Sequence, residues 1–223
     1  MTARLTAGSD AKGDCRVTVE QANALSIDVR TKSPELVERG IRAVAQGQLD
    51  RMGNPSVQIL IEEYGALDYV LAARLETALR QLVGGEAPML EPQHPRQAGA
   101  PDAPRRSRLY VPGNNPRLLA GAETHGADCV LLDLEDAVPP SEKQAARALV
   151  KHLLWAVPFP REVWVRINPL ACGGAEDVRE VLQARPHGIC LPKAESADDV
   201  RALADLLGGV ESALGMAEGF TRI

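Results

Sequence analysis

The chain has 223 residues, a formal net charge of -5, a pI near 5.5 and a hydrophobic fraction of 45%. This is enough apolar material for one large or two small globular domains. The acidic balance and 3% aromatic content exclude a nucleic-acid or polyanion partner, which would need a basic face and a stacking platform.

The first module alternates with strand period. Cys15, Val17 and Val19 share one face of a strand, and Leu25, Ile27 and Val29 share one face of the next. Ser33-Pro34 offers an N-cap followed by proline at the first helical position. A helix to about Met52 carries Val37, Ile41, Ala45 and Leu49 on one stripe and stops at Gly53. Val57, Ile59 and Ile61 predict a third strand. Leu67, Leu71, Leu75, Ala78 and Leu82 predict a second amphipathic helix. The expectation is a small α+β domain, ββαβα, over residues 1–83.

Residues 84–106 are rich in Pro, Gly and Ala without period and read as a linker. From 107 to 223 the pattern becomes strand then helix, four times. The strands are Arg108–Val111, Cys129–Asp133, Val163–Ile167 and Gly188–Leu191. A helix opens at Asn115-Pro116, and another at Ser141, where Gln144 stands at capping-box spacing. A third covers Glu176–Gln183, and the last opens at Ser196 with Asp199. Near-continuous apolar strands at this repeat length predict α/β architecture, the first four βα units of a (β/α)8 TIM barrel. Half a barrel leaves two unpaired sheet edges, so partner chains or a homo-oligomer are expected.

Four cysteines, without any CxxC pair, argue against zinc and for a reducing, cytoplasmic compartment. Cys15, Cys129 and Cys190 read as small buried hydrophobes, and Cys172, beside Gly173-Gly174, as a loop thiol. No apolar leader or membrane-length segment is read, so no membrane is expected.

The charges gather where strands of this class end. Arg166 sits in an otherwise apolar strand, so it must be paired or functional. It could pair with Asp133 or Glu135, or hold a substrate. Asp133, Glu135 and Asp136 crowd three carboxylates into four positions, as a functional cluster or as a solvated loop. Lys193 could reach a substrate or pair with Glu195. Asn168 could bind an oxygen or serve the turn before Pro169. Pro112, Gly113 and Asn114 form a loop before a helix whose N-terminal amides could meet phosphates, or simply cap it. Arg106 and Arg108 could meet a nucleotide or form a charged linker end. His125, His152 and His187 have no partner at triad or metal spacing and read as structural.

RLYVPGNNPRLL, DCVLLDLEDAVPPSEKQAAR, VWVRINPL and GICLPKAESADDV, in that order, resemble the citrate lyase beta subunit and the wider aldolase/citrate lyase (HpcH/HpaI) family, which includes malyl-CoA and citramalyl-CoA lyases. The resemblance covers about 115 residues. It implies Mg²⁺-dependent cleavage of a 3-hydroxy-acid thioester into a 2-oxo acid and an acyl thioester. In that reading Arg166, Glu135 and Asp136 are the catalytic candidates. Arg166, Asn168, Lys193 and Asp133 bind substrate, and Arg108, Pro112, Gly113 and Asn114 meet CoA. The family's two Mg²⁺ ligands follow its fifth and sixth strands, so the resemblance places no metal ligand in this chain. GALDYVLAARLETAL (Gly65 to Leu79) and AGSDAKGDCRVTV (Ala7 to Val19) resemble the citrate lyase acyl carrier protein, or gamma subunit. That family carries phosphoribosyl-dephospho-CoA on a serine before a Gly-Asp or Ser-Asp pair. Gly13-Asp14 matches the pair, Lys12 takes the serine's place, and Ser9 is the nearby hydroxyl. Other lyase subunits are the implied partners. The other reading is a non-catalytic carrier or assembly component.

Overall fold

A computed structural model describes residues 4–84, 94, 96–98 and 104–223. The chain divides into two compact units, Met1–Met89 and Leu90–Ile223. Of the segment read as a linker, residues 84, 94, 96–98 and 104–106 are described. Its described arginines bond within the second unit: Arg96 Nη1 donates to Ala184 O at 2.8 Å, and its Nη2 donates to Leu154 O and Val157 O at 2.7 and 2.9 Å. Arg106 pairs with Asp128 at 3.0 Å.

In the first unit the strands are β1 (Arg4–Gly8), β2 (Cys15–Gln21), β3 (Ser26–Arg30) and β4 (Val57–Glu63). The helices are α1 (Pro34–Arg51) and α2 (Asp68–Val83). The sheet order is β1-β2-β4-β3, with β3 parallel to β4 and the other pairs antiparallel. The core is apolar and fully buried at Val17, Val19, Ala45, Leu49, Ile59, Ile61, Leu75 and Leu79. The unit is therefore βββαβα rather than ββαβα. The extra strand, RLTAG, lies on a sheet edge and buries only Ala7, so it carries little hydrophobic signal. On α1, Ile41, Ala45 and Leu49 are buried, but Val37 is 36% exposed. Pro34 is at the start of α1 as expected, while the Ser33 side chain makes no cap bond.

In the second unit β5 (Arg108–Pro112), β6 (Cys129–Asp133), β7 (Glu162–Arg166) and β8 (Gly188–Cys190) form one parallel sheet in chain order. The helices are α3 (Pro116–Leu119), α4 (Lys143–Ala156), α5 (Gly174–Val181) and α6 (Ala197–Ala213). This is a mixed α/β fold with a parallel sheet. Alternate residues share a face. Leu132, Val163, Val165 and Ile189 are fully buried on one. The other carries Arg108, Tyr110, Leu131, Asp133, Trp164, Arg166 and Cys190, with Tyr110 48% exposed and Asp133 2%. Arg222, outside the named strands, makes an isolated parallel bridge with Gly188.

Two local expectations differ. A 3-10 turn at Pro140–Glu142 precedes α4, and no side chain caps that helix, so the Ser141–Gln144 capping box does not form. Pro140 favours the tight turn, and the N-cap falls at Glu142 instead. Cys190 is half-buried, not buried, because it faces the open side of the sheet. Cys15 and Cys129 are buried and Cys172 is exposed. The capping box at α6 is present, with Ser196 N donating to Asp199 Oδ2 at 2.8 Å and Asp199 N donating to Ser196 Oγ at 3.3 Å. Among the described residues no helix is long and apolar enough to cross a membrane.

Candidate active site

The parallel register sets Pro112, Asp133, Arg166 and Cys190 side by side at the carboxyl ends of their strands. Open α/β sheets and barrels place ligands at this rim. Asp133 and Arg166 lie 33 positions apart in sequence but are register partners. Arg166 Nε donates to Asp133 Oδ1 at 2.8 Å and Nη2 donates to Asp133 Oδ2 at 2.7 Å, a bidentate fork. Arg166 Nη1 lies 3.2 Å from Glu135 Oε2 and 3.8 Å from Asp136 Oδ2. Lys193 Nζ lies 2.7 Å from Glu135 Oε1 and 3.6 Å from Asp136 Oδ1. Two cations and three carboxylates therefore form one connected cluster with a formal charge of about -1 when all are ionised.

Burial pushes the Asp133 carboxyl up. The guanidinium of Arg166 and the backbone N–H groups of Glu135 and Ala137 outweigh it and leave Asp133 below the usual carboxylate range. The same hydrogen bond to Asp133 raises Arg166, against desolvation. The hydrogen bond to Glu135 raises Lys193. Both side chains remain cationic at neutral pH. Lys193 has φ +50, a left-handed turn that costs a non-glycine residue energy and carries the ammonium toward the acids. Its partner is thus Glu135, not the neighbouring Glu195.

Asn168 is 5% exposed and internally committed. Its Nδ2 donates to Leu134 O at 3.0 Å and to Asp177 Oδ2 at 2.7 Å, and its backbone N donates to the same carboxylate at 2.8 Å. Arg147 Nε holds the other Asp177 oxygen at 2.8 Å. This tie fixes the loop after β7 and commits the Asn168 Nδ2 group.

The first strand-to-helix loop is also structural. Gly113 N donates to Asp133 O at 2.8 Å, and Asn114 Nδ2 donates to Glu142 Oε2 at 2.6 Å. The following α3 has only four residues, and Asn115 caps it by accepting from Leu118 N at 3.2 Å. Arg108 is exposed at the opposite end of β5 from the Arg166 rim. A cavity of about 300 Å³ on this face is lined by Arg108, Cys129, Leu131, Trp164, Cys190 and Leu191, among others.

Two contributors had no clear sequence signal. Lys143 Nζ donates to Leu134 O at 2.7 Å and Glu135 O at 2.6 Å, so it fixes the acidic loop. Tyr110 reaches across β6, and the Arg166 guanidinium carbon lies 5.2 Å from its ring centroid, within cation–π range.

The described residues do not fit a magnesium site. None of their His, Cys, Asp or Glu side chains form a group of three or more placed to hold a metal, and Glu135 and Asp136 direct carboxylate oxygens at Arg166 and Lys193.

In the first unit Ser9 Oγ donates to Asp14 Oδ2 at 2.9 Å. Asp14 is buried and gripped by Arg74 through two 3.0 Å bonds and by Cys15 N at 2.8 Å. Lys12 is exposed in the same turn.

The fold is a mixed α/β one whose parallel sheet carries this arginine–carboxylate cluster at the carboxyl ends of its strands, the rim where such sheets bind ligands. Residues 106–223, more than half of the sequence, match the HpcH/HpaI aldolase/citrate lyase family model, and the chain belongs to that family. Residues 2–82 match the acyl-carrier model described as malonate decarboxylase delta subunit (MdcD). Citrate lyase subunit beta of Haemophilus influenzae is 38% identical over 121 residues, covering 53% of this chain and 42% of that protein. A (3S)-malyl-CoA thioesterase of Cereibacter sphaeroides is 40% identical over 121 residues, covering 51% and 42%. Mitochondrial citramalyl-CoA lyase of Homo sapiens is 38% identical over 106 residues, covering 46% and 31%. The chain spans less than half the length of these relatives.

Proposed function

We propose that the second unit is the first four βα units of a (β/α)8 barrel that cleaves a 3-hydroxy-acid thioester of citryl, malyl or citramalyl type. The products are a 2-oxo acid and an acyl thioester. The observation that carries this reading is the convergence of Arg166, Asp133 and Glu135 at one strand-end rim, together with membership in the lyase family.

In the cleavage the hydroxyl proton passes to water, the O–H electrons form the C=O of the 2-oxo acid as the C–C bond breaks, and the electron pair left on the carbon next to the thioester takes up a proton from water. Arg166 holds the carboxylate of the departing oxo acid. Asp133 fixes the plane of the guanidinium, and Lys143 fixes the loop that carries Glu135. Lys193 adds positive charge at the rim. CoA or a carrier-bound thioester supplies the acyl group.

The first unit is proposed as the carrier-like part, with Ser9 as the hydroxyl available for a phosphoribosyl-dephospho-CoA group and Asp14 as its hydrogen-bond partner. Other lyase subunits or further copies of the chain are the proposed partners, in a reducing cytoplasmic setting. The second reading, a non-catalytic carrier or assembly component, is favoured by Lys12 at the serine's place and by the closed charge pairing of Arg166.

The test is release of pyruvate, glyoxylate or oxaloacetate from citramalyl-CoA, malyl-CoA or a citryl thioester, with Mg²⁺ supplied. The full chain is assayed beside Arg166→Ala. Turnover abolished by the substitution supports the lyase reading. No turnover, with a prosthetic-group mass on Ser9, supports the carrier.

A further inference from the structure

We propose that Asp136 is a built-in competitor at Arg166: its carboxylate stands where an incoming carboxylate would pair with Nη1, and Lys193 offers it a second cation when it is displaced. The inference rests on the reading of Arg166 as the anion-holding residue and assigns Asp136 a gating part in place of a catalytic one.

Asp133 takes the Nε–Nη2 edge of Arg166; it is nearly fully buried and also accepts from two backbone N–H groups. Nη1 faces two further carboxylates, Glu135 and Asp136. Glu135, at 3.2 Å, has a side chain only 5% exposed, and Lys193 holds its other oxygen at 2.7 Å. Releasing it would strand a buried charge. Asp136 is different. Its side chain is 65% exposed, and its 3.8 Å separation from Nη1 is an ionic contact, too long for a hydrogen bond. An exposed pair of this kind is weak and loses little when broken.

A ligand carboxylate that closes to charge-assisted hydrogen-bond distance replaces a loose ion pair with a tight one. The exchange trades one carboxylate for another at Nη1, while Asp136 stays in the cluster beside Lys193. Lys193 is equally exposed and lies 3.6 Å from the other Asp136 oxygen. Asp136 therefore has a second cation to retain it when it swings off Arg166. The rim is closed by Asp136 at rest and opened by any better carboxylate.

Asp136→Asn keeps the shape and removes the competing charge. The probes are pyruvate and oxaloacetate, titrated into the full chain while the Arg166 Nε–H resonance is followed by NMR. Asp198→Asn is the control for a general field effect, since Asp198 pairs with Arg201 and makes no contact with Arg166. Asp136→Asn should tighten binding about fivefold, and Asp198→Asn should change it by less than about twofold. Unchanged or weaker binding in Asp136→Asn, with wild type binding normally, overturns this inference alone. An equal gain in Asp198→Asn also overturns it. No response of Arg166 in any of the three proteins overturns both the inference and the anion-holding role.

Discussion

Removing the Arg166 guanidinium should expose how much of the rim depends on one fork. In Arg166→Ala, the 2%-exposed Asp133 loses two hydrogen bonds of 2.8 and 2.7 Å and keeps only those from Glu135 N and Ala137 N. Breaking a buried ion pair by deleting one partner costs roughly 3–5 kcal/mol. The two surviving backbone bonds put this case at the low end, about 3 kcal/mol near neutral pH. The pH dependence follows from the sign of the shift. With arginine present the folded Asp133 sits below its ordinary range, so its contribution is complete above the unfolded value of ~3.9 and drains as pH falls below it. Without arginine, burial is opposed only by the two backbone N–H groups, and the carboxyl rises. The charged form is then penalised at neutral pH and relieved as protonation sets in. The deficit should therefore shrink on acidification from pH 7 to 5. Both tryptophans of the chain, Trp155 and Trp164, lie in the second unit, so tryptophan fluorescence in urea, excited where tyrosine does not absorb, reads that unit. Adding Asp133→Asn to the variant should recover part of the loss. A deficit below about 1 kcal/mol, or one equal at both pH values, would refute the claim that Asp133 depends on Arg166.

Three further outcomes are expected. Gly113→Ala would set a Cβ 2.8 Å from Asp133 O and 2.9 Å from Val150 Cγ2, so it should cost about 1–3 kcal/mol by the same fluorescence assay; a neutral result would mean that the β5 loop can retreat from the strand. Arg74→Leu strands buried Asp14 and should destabilise the first unit by about 3–5 kcal/mol, seen as faster hydrogen exchange at Ser9 and Cys15, whose amides donate to that carboxylate. The hydrogen bond from Arg106 holds Asp128 down at about 2, so the stability it contributes is intact above pH ~4 and is lost between there and about pH 2. Asp128→Asn should flatten that part of the acid limb, and an unchanged urea midpoint profile over the window would count against the pairing.

Elements were legible where burial imposed a period. β2, β4, β6 and β7 alternate or run apolar because their side chains fill a core, and α2 repeats apolar residues at helical spacing. β1 was not legible, since an edge strand with one buried side chain writes almost no pattern. The Ser141 signal was genuine at the level of spacing but lost to a 3-10 turn built on Pro140.

The site divides in the same way. Charged residues in apolar strands mark a rim, because an unpaired charge there is too costly to be accidental. Arg166, Asp133 and Glu135 could thus be named from local sequence. Their partners could not. Lys193 was as close in sequence to Glu195 as any acid, yet a left-handed turn sends it to Glu135, 58 positions earlier. Tyr110 meets Arg166 by crossing an intervening strand, and Asn168 is claimed by Asp177 before any ligand could use it. Amino-acid order determines which residues must be buried and which cannot be buried alone, since transfer from water is a property of each side chain. Only the parallel register, which sets distant strand ends beside one another, decides which charges satisfy which.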